Sequence, residues 1–528
     1  MGLKLRMPHT QALLSVRGGQ GRARGRRVSF WAGARTHCLI AAFVLLLPGC
    51  EEATTAPPPG SWPELIEPVS PVLGSVGEPL PVGVRVLAEN GSPLEGLGVR
   101  FEPSQGGGFA SLPIGVTDDD GVAVTTWTLG APVGEQTMEA RVSGFDEIST
   151  VIQATAFAPP TSFSEVSTGE AGFTCGVEAQ GRVFCWGDDE MGQLGIGGHG
   201  SRSTPAPVVA DVPFSTVSVG WSHACALDLQ GRAHCWGANP DGRLGVGTLE
   251  WAARPVPVAG GVRFSWISAG SSHSCGVTLD GEAHCWGDGA DGRLGTGGVE
   301  SHLEPQRVDA ELTFTSVTAG LDFTCGIDMG GGAHCWGNGG PWLGNGDLVD
   351  REVPEAVLGG LEFGSLSAGD RHVCGVTVHD EAYCWGVSTG GRLGIGPAIG
   401  VEYFPRPVEG DLLFRTVSAG GESTCGVLVE GESYCWGSGA DGRLGDGEDD
   451  PVHEAWEPAE VEGGIAFAGI SVARGRDGAR PPHVCGVGLE GKVFCWGAGD
   501  LGQLGDGASG AGHVAAAPVP LWRAEPKP

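Results

Sequence analysis

Cysteine is the residue whose spacing in this chain most clearly predicts chemistry. Of the 16 cysteines, 14 form seven pairs whose two members lie ten residues apart. The pairs are Cys175 and Cys185, Cys225 and Cys235, Cys275 and Cys285, Cys325 and Cys335, Cys374 and Cys384, Cys425 and Cys435, and Cys485 and Cys495. Thiols paired in this way can form disulfides, bind a metal ion or remain free as small apolar side chains.

The residues between the cysteines predict a β-hairpin that brings each pair face to face. In the third pair, Leu279-Asp280-Gly281 suits a three-residue loop whose last residue is left-handed. That loop pairs position 275 with 285, with Cα atoms about 4.5 Å apart. Asp380 replaces the glycine in the fifth repeat, and aspartate tolerates the left-handed region. We therefore expect disulfides; free buried thiols are the alternative, whereas structural zinc ligands have a different spacing.

A Cys-Trp-Gly triplet ends the third segment of each repeat. Its tryptophans lie 49 to 51 residues apart, except for one interval of 60. They are Trp186, Trp236, Trp286, Trp336, Trp385, Trp436 and Trp496. The third repeat contains four strand-like segments, Phe264 to Gly270, His273 to Thr278, Glu282 to Trp286 and Pro305 to Val308. This pattern, in a chain with 95 Gly and 36 Pro, predicts an all-β propeller of seven blades whose repeated tryptophans fill the gaps between blades.

The repeats, with Asp-Gly-Arg-Leu-Gly after the tryptophan, resemble those of the regulator of chromosome condensation family. The resemblance covers about 360 residues and implies a seven-bladed β-propeller over residues 161–523, followed by a tail at 524–528. The seventh repeat departs from the pattern, because Ala473 replaces the glycine that closes the first strand of the other repeats, and Pro518 to Leu521 ends in leucine. Such variation is expected of a terminal blade.

Residues 1–49 have the layout of an export signal. They contain eight Lys and Arg and no Asp or Glu, and their apolar run from Leu39 to Leu47 is too short to span a bilayer comfortably. The run leads into Leu47-Pro48-Gly49-Cys50, which resembles a bacterial lipobox and implies that Cys50 is lipidated. An ordinary cleaved signal with an incidental cysteine is the alternative. Residues 50–63 then predict a Pro-rich tether, so we expect a lipid-anchored protein of the cell envelope, periplasmic or at the cell surface.

Residues 64–158 precede the repeats and predict a separate β-domain. Alternating runs at Val82 to Val86 and Val122 to Trp127 indicate strands, and their number suits one β-sandwich. The segment Thr117 to Ala123, followed by Trp127 to Gly130, resembles the bacterial immunoglobulin-like domains of invasin- and intimin-type surface proteins. The resemblance implies an N-terminal immunoglobulin-like β-sandwich.

The charge of the chain argues against nucleic-acid partners. The formal net charge is -32, and removal of residues 1–49 leaves 23 basic against 63 acidic residues, about -40. An acidic surface repels phosphate backbones, whereas nucleic-acid binding requires basic patches. We expect no nucleic acid as partner and membrane contact through the lipid anchor only.

The side chains outside the repeat pattern are the candidates for a functional site. No nucleophile elbow, phosphate-binding loop or metalloprotease motif occurs, so we expect no catalytic residues, no cofactor and no metal. Histidines next to the repeat cysteines, such as His223, are expected at outer positions too far apart to share an ion. The candidates for partner binding are the tryptophans of predicted loops, Trp221, Trp251, Trp342 and Trp456. Packing of these loops against a blade edge is the alternative.

The longest interval between repeats supplies a second candidate region, at Glu448 to Trp456 and Arg474 to Pro482. The function that fits best is a monomeric, non-enzymatic scaffold of the envelope whose propeller binds an unknown protein or glycan. The family resemblance also implies guanine-nucleotide exchange, which export argues against. Inhibition of an enzyme and a propeller lyase or hydrolase are further alternatives.

Overall fold

The computed structural model describes residues 63–519, apart from 69–71, 77–78, 131–132, 398–399, 449, 451 and 476–481. The signal and Cys50 lie outside the described residues. The prediction of an all-β protein is confirmed, since strands dominate and the helices of the described part are five single 3₁₀ turns. These turns are Ala259–Gly261, Ala290–Gly292, Pro341–Leu343, Thr389–Gly391 and Ala440–Gly442. None of the helices in these ranges is long and apolar enough to cross a membrane.

Two sheets that share one core make up the N-terminal part of the described chain. Their strands are β1 Pro63–Pro68, β2 Val72–Ser75, β3 Pro79–Ala88, β4 Gly98–Gln105, β5 Gly108–Ala110, β6 Ile114–Val116, β7 Val122–Leu129, β8 Gly134–Val142 and β9 Phe145–Phe157. The strand orders are β1-β3-β7-β5 and β2-β9-β8-β4-β6. Alternate residues of β3, such as Val84 and Val86, point inward and are buried with Trp127. The two sheets thus pack face to face as a β-sandwich.

Seven four-stranded antiparallel sheets follow in the described part of the chain and are named blade one to blade seven. Blades one to four contain β10 Phe163–Gly169, β11 Phe173–Glu178, β12 Val183–Gly187, β13 Arg202–Pro207, β14 Phe214–Val219, β15 His223–Asp228, β16 Ala233–Gly237, β17 Ala252–Pro257, β18 Phe264–Ala269, β19 His273–Thr278, β20 Ala283–Gly287, β21 His302–Arg307, β22 Phe314–Ala319, β23 Phe323–Asp328, β24 Ala333–Gly337 and β25 Arg351–Ala356. Blades five to seven contain β26 Phe363–Ala368, β27 His372–Thr377, β28 Ala382–Val387, β29 Val401–Pro407, β30 Phe414–Ala419, β31 Ser423–Leu428, β32 Ser433–Ser438, β33 Glu454–Glu460, β34 Phe467–Val472, β35 His483–Gly488, β36 Val493–Gly499 and β37 Gly510–Pro518. The four strands of every blade are consecutive in the sequence.

The hairpin between the second and third strands has the predicted register. Cys275 lies directly opposite Cys285, and the equivalent residues are opposite each other in every blade. The left-handed loop residue is confirmed, with φ of 84° at Gly281 and 64° at Asp380. The fourth strand was predicted too late, because it begins at His302, where polar, partly exposed residues give no alternating pattern.

The facing cysteines of each hairpin have their sulfurs at bonding distance. Their Cα atoms are 4.0 to 4.1 Å apart, slightly closer than the separation of about 4.5 Å expected for such a pair. The bonded pairs are Cys175 with Cys185, Cys225 with Cys235, Cys275 with Cys285, Cys325 with Cys335, Cys374 with Cys384, Cys425 with Cys435, and Cys485 with Cys495. Each blade thus has one disulfide between its second and third strands, in the pairing that the spacing predicts.

The repeated tryptophans pack between neighbouring blades, as predicted. Trp286 of blade three is fully buried, and its Nε1 donates a hydrogen bond of 2.9 Å to the carbonyl of Arg243 in blade two. Gly245 makes room for the indole, since a Cβ at that position would lie 2.7 Å from Nε1. The same clash is found at the equivalent glycine of all seven blades. The glycine of each Leu-Gly pair therefore leaves the space that the tryptophan of the next blade occupies.

The histidines at the start of the second strands are not at outer positions, contrary to the expectation. His223, His273, His372 and His483 are fully buried between blades, and each Nε2 contacts a hydroxyl of the next blade. In the closing pair, His483 contacts Thr174 at 2.6 Å, while the Thr174 hydroxyl donates to the carbonyl of Gln503. The single hydroxyl proton is thus used, so His483 must donate from Nε2. Burial lowers the pKa of His483 to about 3, and the histidine is neutral.

Two other blades use apolar pairs at the same place. Phe173 shares one core cluster with Ala224, and Phe323 shares another with Val373. A histidine at the start of a second strand is thus matched by serine or threonine in the next blade, and a phenylalanine by an apolar residue. Because an unsatisfied polar group is costly in a buried interface, the histidine pairs are expected to depend on both partners. Blade six differs, since Ser423 occupies the position and Val484 is its counterpart in blade seven.

The first strands carry a second set of contacts that joins each blade to the next. A serine or threonine in each first strand accepts a hydrogen bond from a backbone N–H of the following first strand. The last of these contacts joins Ser471 of blade seven to the N–H of Thr168 in blade one, at 3.0 Å. Blade seven therefore contacts blade one in the same way as the other neighbours, and the first strands surround a common axis.

Candidate functional site

The connections between strands divide the ring of blades into two faces. Because the strands of a blade alternate in direction, the connections after the first and third strands emerge at one end of the sheet. We name this the turn face. The hairpins that join the second and third strands, such as the loop at Leu279, lie at the opposite hairpin face. Each of the four tryptophans predicted to bind a partner belongs to a turn-face connection or to the fourth strand that follows such a connection.

Trp221 and Trp251 are exposed on the turn face while their rings are held in place. Trp221 follows the first strand of blade two, is 48% exposed, and has the Arg243 guanidinium 5.9 Å from its ring centroid. Trp251 precedes β17, is 52% exposed, and packs against the His199 ring with centroids 4.7 Å apart. Each indole thus has one supported side and a large accessible area, an arrangement common in protein-binding surfaces.

Trp342 and Trp456 are less accessible. Trp342 is half-buried, donates from Nε1 to the carbonyl of Asn338 at 2.9 Å, and lies 6.1 Å from the Phe323 ring. Its own carbonyl accepts a hydrogen bond from Trp385. Trp456 is half-buried within β33, and its carbonyl accepts from the N–H of Gly396. Both residues thus support loop and blade packing, which was the alternative interpretation of these tryptophans.

The four candidates do not share one blade. Trp221 and Trp251 belong to blade two, Trp342 to blade four and Trp456 to blade six. Of the second candidate region, positions 449, 451 and 476–481 lie outside the described residues.

A cavity on the axis was not predicted. It has a volume of about 490 Å³ and is lined by residues from the first strands of all seven blades. The lining is mainly Ser and Thr hydroxyls and aliphatic side chains, with Glu165, Trp266 and Arg415 as larger members. The lining residues come from both halves of the first strands, so the cavity extends along the axis between the two faces. Its volume is in the range of small-molecule sites.

Trp266 is the aromatic side chain in the lining of the cavity. It is 46% exposed, and its Nε1 donates a 2.7 Å hydrogen bond to the carbonyl of Val317 in the next blade. The bond holds the indole against the wall. The equivalent residues of the other first strands are Glu165, Thr216, Ser316, Ser365, Thr416 and Gly469. Alignment of the repeats at this position would have found Trp266, which had been assigned only to a strand.

Glu165 occupies the same position in blade one. Its Oε1 accepts a 2.5 Å hydrogen bond from the N–H of Val217. Burial raises the pKa of Glu165, although the bonds from Val217 and the Thr216 side chain act in the opposite direction. The carboxyl group therefore has a fixed position in the wall of the cavity.

The turn-face end of the axis is crossed by Arg474. This residue follows β34 of blade seven, and its guanidinium donates to the carbonyls of Ala319 at 2.5 Å and Ala269 at 2.8 Å. Blades three and four are opposite blade seven in the ring, so the side chain spans the axis. Its Nε is 3.5 Å from Glu170 of blade one. The charge of Arg474 is therefore compensated at this end.

A further carboxyl group is buried in the turn-face loop of blade one. Asp189 accepts a 3.0 Å hydrogen bond at Oδ1 from the N–H of Leu194, and burial raises its pKa to about 7. In blade two the equivalent Asn239 accepts the same bond from Leu244, at 3.0 Å. An uncharged amide thus serves the loop equally well.

Comparison with known proteins agrees with this architecture. A family model described as the regulator of chromosome condensation (RCC1) repeat matches residues 180–227, 230–277 and 280–327, and a second model of the repeat matches 163–193 and 214–243. The chain carries RCC1 repeats. The predicted resemblance of the repeats to this family is confirmed.

Sequence relatives match the RCC1 repeats over a limited length. Human E3 ubiquitin-protein ligase HERC2 is 34% identical over 128 residues, which cover 23% of this chain and 2% of the ligase. The mitochondrial RCC1 domain-containing protein RUG3 of Arabidopsis thaliana is 32% identical over 121 residues, which cover 22% of this chain and 25% of RUG3. The chain thus spans a quarter or less of these relatives.

A solved structure shows the fold of the repeats. Prp20p of Saccharomyces cerevisiae superposes with a TM-score of 0.57 at 19% identity, over 65% of this chain and 87% of Prp20p. The RCC1-type arrangement of four-stranded blades is therefore shared, and the described blades five to seven continue the geometry of the matched repeats.

Proposed function

We propose that this protein is a non-enzymatic scaffold of the bacterial cell envelope, in which a seven-bladed RCC1-type propeller binds a protein partner through its turn face. The observation that carries the proposal is the pair of exposed but fixed indoles, Trp221 and Trp251. Rigid aromatic side chains bind with a small loss of conformational entropy. Prp20p, which has a similar fold, is described by its binding to Gsp1p and histones. Protein binding is thus compatible with the architecture.

The experiment for this proposal is quantitative cross-linking capture with the full chain in its native host. Replacement of both Trp221 and Trp251 by alanine should deplete a defined set of partners at least tenfold, whereas Leu279→Ala should retain them. Leu279 is a suitable control because it is 69% exposed on the hairpin face. Equal recovery of every partner with both variants would remove the turn face as the binding surface.

The envelope location rests on the N-terminal sequence and has its own test. Metabolic labelling with an alkyne fatty acid should label the wild-type protein in the membrane fraction, and Cys50→Ala should lose both the label and the membrane association. External protease added to intact cells then distinguishes the cell surface from the periplasm. A labelled Cys50→Ala protein would contradict the lipid anchor. The immunoglobulin-like sandwich is proposed to act as a spacer between this anchor and the propeller.

A further inference from the structure

We propose that the axial cavity is a binding site for an organic cation, a primary ammonium group, held between the Trp266 indole and the Glu165 carboxylate. The site differs from the turn-face surface in place and in chemistry. It goes beyond the proposed scaffold function, because neither Trp221 nor Trp251 lines the cavity.

The first argument is the departure from repeat symmetry. The position equivalent to Trp266 is threonine, serine or glycine in five first strands, and is Glu165 and Trp266 in the other two. Neither residue is required for the packing of the blade, since Thr, Ser or Gly serves in its equivalents. The large aromatic and the carboxylate therefore add chemistry that the ring itself does not need.

The second argument is that both groups are positioned before any ligand arrives. The bond from Trp266 to Val317 fixes the indole plane, and 46% of the side chain remains accessible. The bond from Val217 fixes the Glu165 carboxylate. An aromatic face and a carboxylate attract a cation by the ring quadrupole and by charge, respectively. Fixed groups lose little conformational entropy on binding.

The third argument concerns the sign of the charge in and around the cavity. Arg474 at the closed end is compensated by Glu170 and by two backbone carbonyls. Arg415 is the remaining cation in the lining, and its guanidinium donates to the carbonyl of Val429 in a hairpin loop. Within the lining, Glu165 and Arg415 carry one charge of each sign, while the net charge of -32 attracts cations over longer distances. The preference for a cation therefore comes from the indole face, the fixed carboxylate and the long-range field of the protein.

The same cation chemistry can be supplied by a free amine or by the lysine side chain of a partner protein. Isothermal titration calorimetry of the purified full chain should use cadaverine as the free amine and the blocked peptide Gly-Lys-Gly as the side chain. Gly-Glu-Gly and N-acetylglucosamine serve as the anionic and glycan controls. Saturable binding of cadaverine, the lysine peptide or both supports the proposal, and the tighter of the two identifies the source.

Two variants connect the binding to the proposed groups. Trp266→Ala and Glu165→Gln should each weaken the binding of the preferred amine at least tenfold, whereas Leu279→Ala, at an exposed residue outside the lining, should leave it unchanged. Glu165→Gln keeps the oxygen that accepts from Val217, so it preserves the fold while it removes the charge. Trp266→Phe keeps an aromatic face and should restore most of the affinity lost in Trp266→Ala.

Three results would overturn the proposal. They are the absence of saturable binding for both amines, equal affinity in the wild type and the two cavity variants, and binding of N-acetylglucosamine without binding of the amines. The last result would assign the cavity to a glycan. None of these results affects the capture experiment on the turn face, so the two proposals can fail separately.

Discussion

The interfaces between blades and the axis of the ring differ in how they use the repeat. At each interface the same tryptophan and glycine positions recur, and the tryptophans are fully buried. On the axis, equivalent positions carry glycine, serine, threonine, glutamate or tryptophan, and the last blade adds Arg474. The difference shows that repetition maintains packing between neighbours, while a departure from it marks a position that is free to acquire a ligand.

The largest expected difference in stability is between an interface tryptophan, Trp286, and the axial tryptophan, Trp266. Trp286→Ala removes a fully buried indole from an interface and should lower the free energy of unfolding by about 3–5 kcal/mol. Trp266→Ala, on the axis, should change it by about 1 kcal/mol or less. Urea denaturation of both variants tests the contrast. Equal losses would mean that the axial tryptophan is also part of the core.

The cysteine pairs should contribute less than the interface tryptophans. Replacement of both Cys275 and Cys285 by alanine should lower the free energy of unfolding by about 2–3 kcal/mol, because the disulfide restricts the conformations of the unfolded chain. The pairing itself is checked by intact-mass measurement after alkylation without reduction, in which no repeat cysteine should be labelled. A labelled cysteine in this experiment would favour the free-thiol alternative.

The buried histidines should make the interfaces sensitive to acid. The pKa of His483 is about 3 in the folded protein, against an ordinary value of 6.5 for a histidine in water. Below pH 6.5 this histidine binds a proton in the unfolded chain but stays neutral in the folded chain. The free energy of unfolding therefore falls by about 1.4 kcal/mol for each pH unit by which the pH is lowered.

The chain supplies its own control for this effect. His483→Phe combined with Thr174→Ala copies the apolar pair Phe173 and Ala224, and should remove one histidine's share of the pH dependence. The measurement is urea denaturation between pH 7 and pH 5. An unchanged pH dependence would show that His483 does not act as a buried neutral group.

The smallest predicted effect concerns Asp189, a buried residue of blade one whose equivalent in blade two is Asn239. The folded pKa of about 7 lies above the ordinary value of 3.8 for an aspartate in water, so the folded state holds the proton more tightly and stability falls as the pH rises from 3.8 to 7. Asp189→Asn copies Asn239 and should raise the free energy of unfolding at pH 8 by about 1 kcal/mol or more. Thermal melts at pH 5 and pH 8 test the sign, since the gain should be largest at the higher pH.

Much of the local structure could be predicted because it follows from short-range rules. The three-residue loop that ends at Gly281 sets the hairpin register, and the register sets which cysteines face each other. The same rule extends to Asp380, since its backbone conformation is available to aspartate. The fourth strands were placed less well, because residues such as His302 and Glu304 are partly exposed and show no alternation.

Contacts between blades were harder to predict, because their partners lie about one repeat apart in the chain. His223 was assigned to an outer position on its own strand, whereas its hydroxyl partner Ser274 belongs to the next blade. Trp342 was selected for its position outside the repeat, but its contacts with Asn338 and Phe323 depend on how the loop folds back. Sequence position does not reveal which side of a loop faces the blade.

By itself, the sequence determined the all-β architecture, the RCC1-type repeats and the hairpin register, because each depends on residue types within a few positions or on the period of the repeat. Only the tertiary structure decided that Glu165 and Trp266 share one cavity and that Arg474 crosses the turn-face end of the axis. These residues are separated by 100 to 300 positions and meet because closure of the ring brings the first strands around a common axis. That closure results from the contacts between all neighbouring blades, so it cannot be predicted from the sequence of a single repeat.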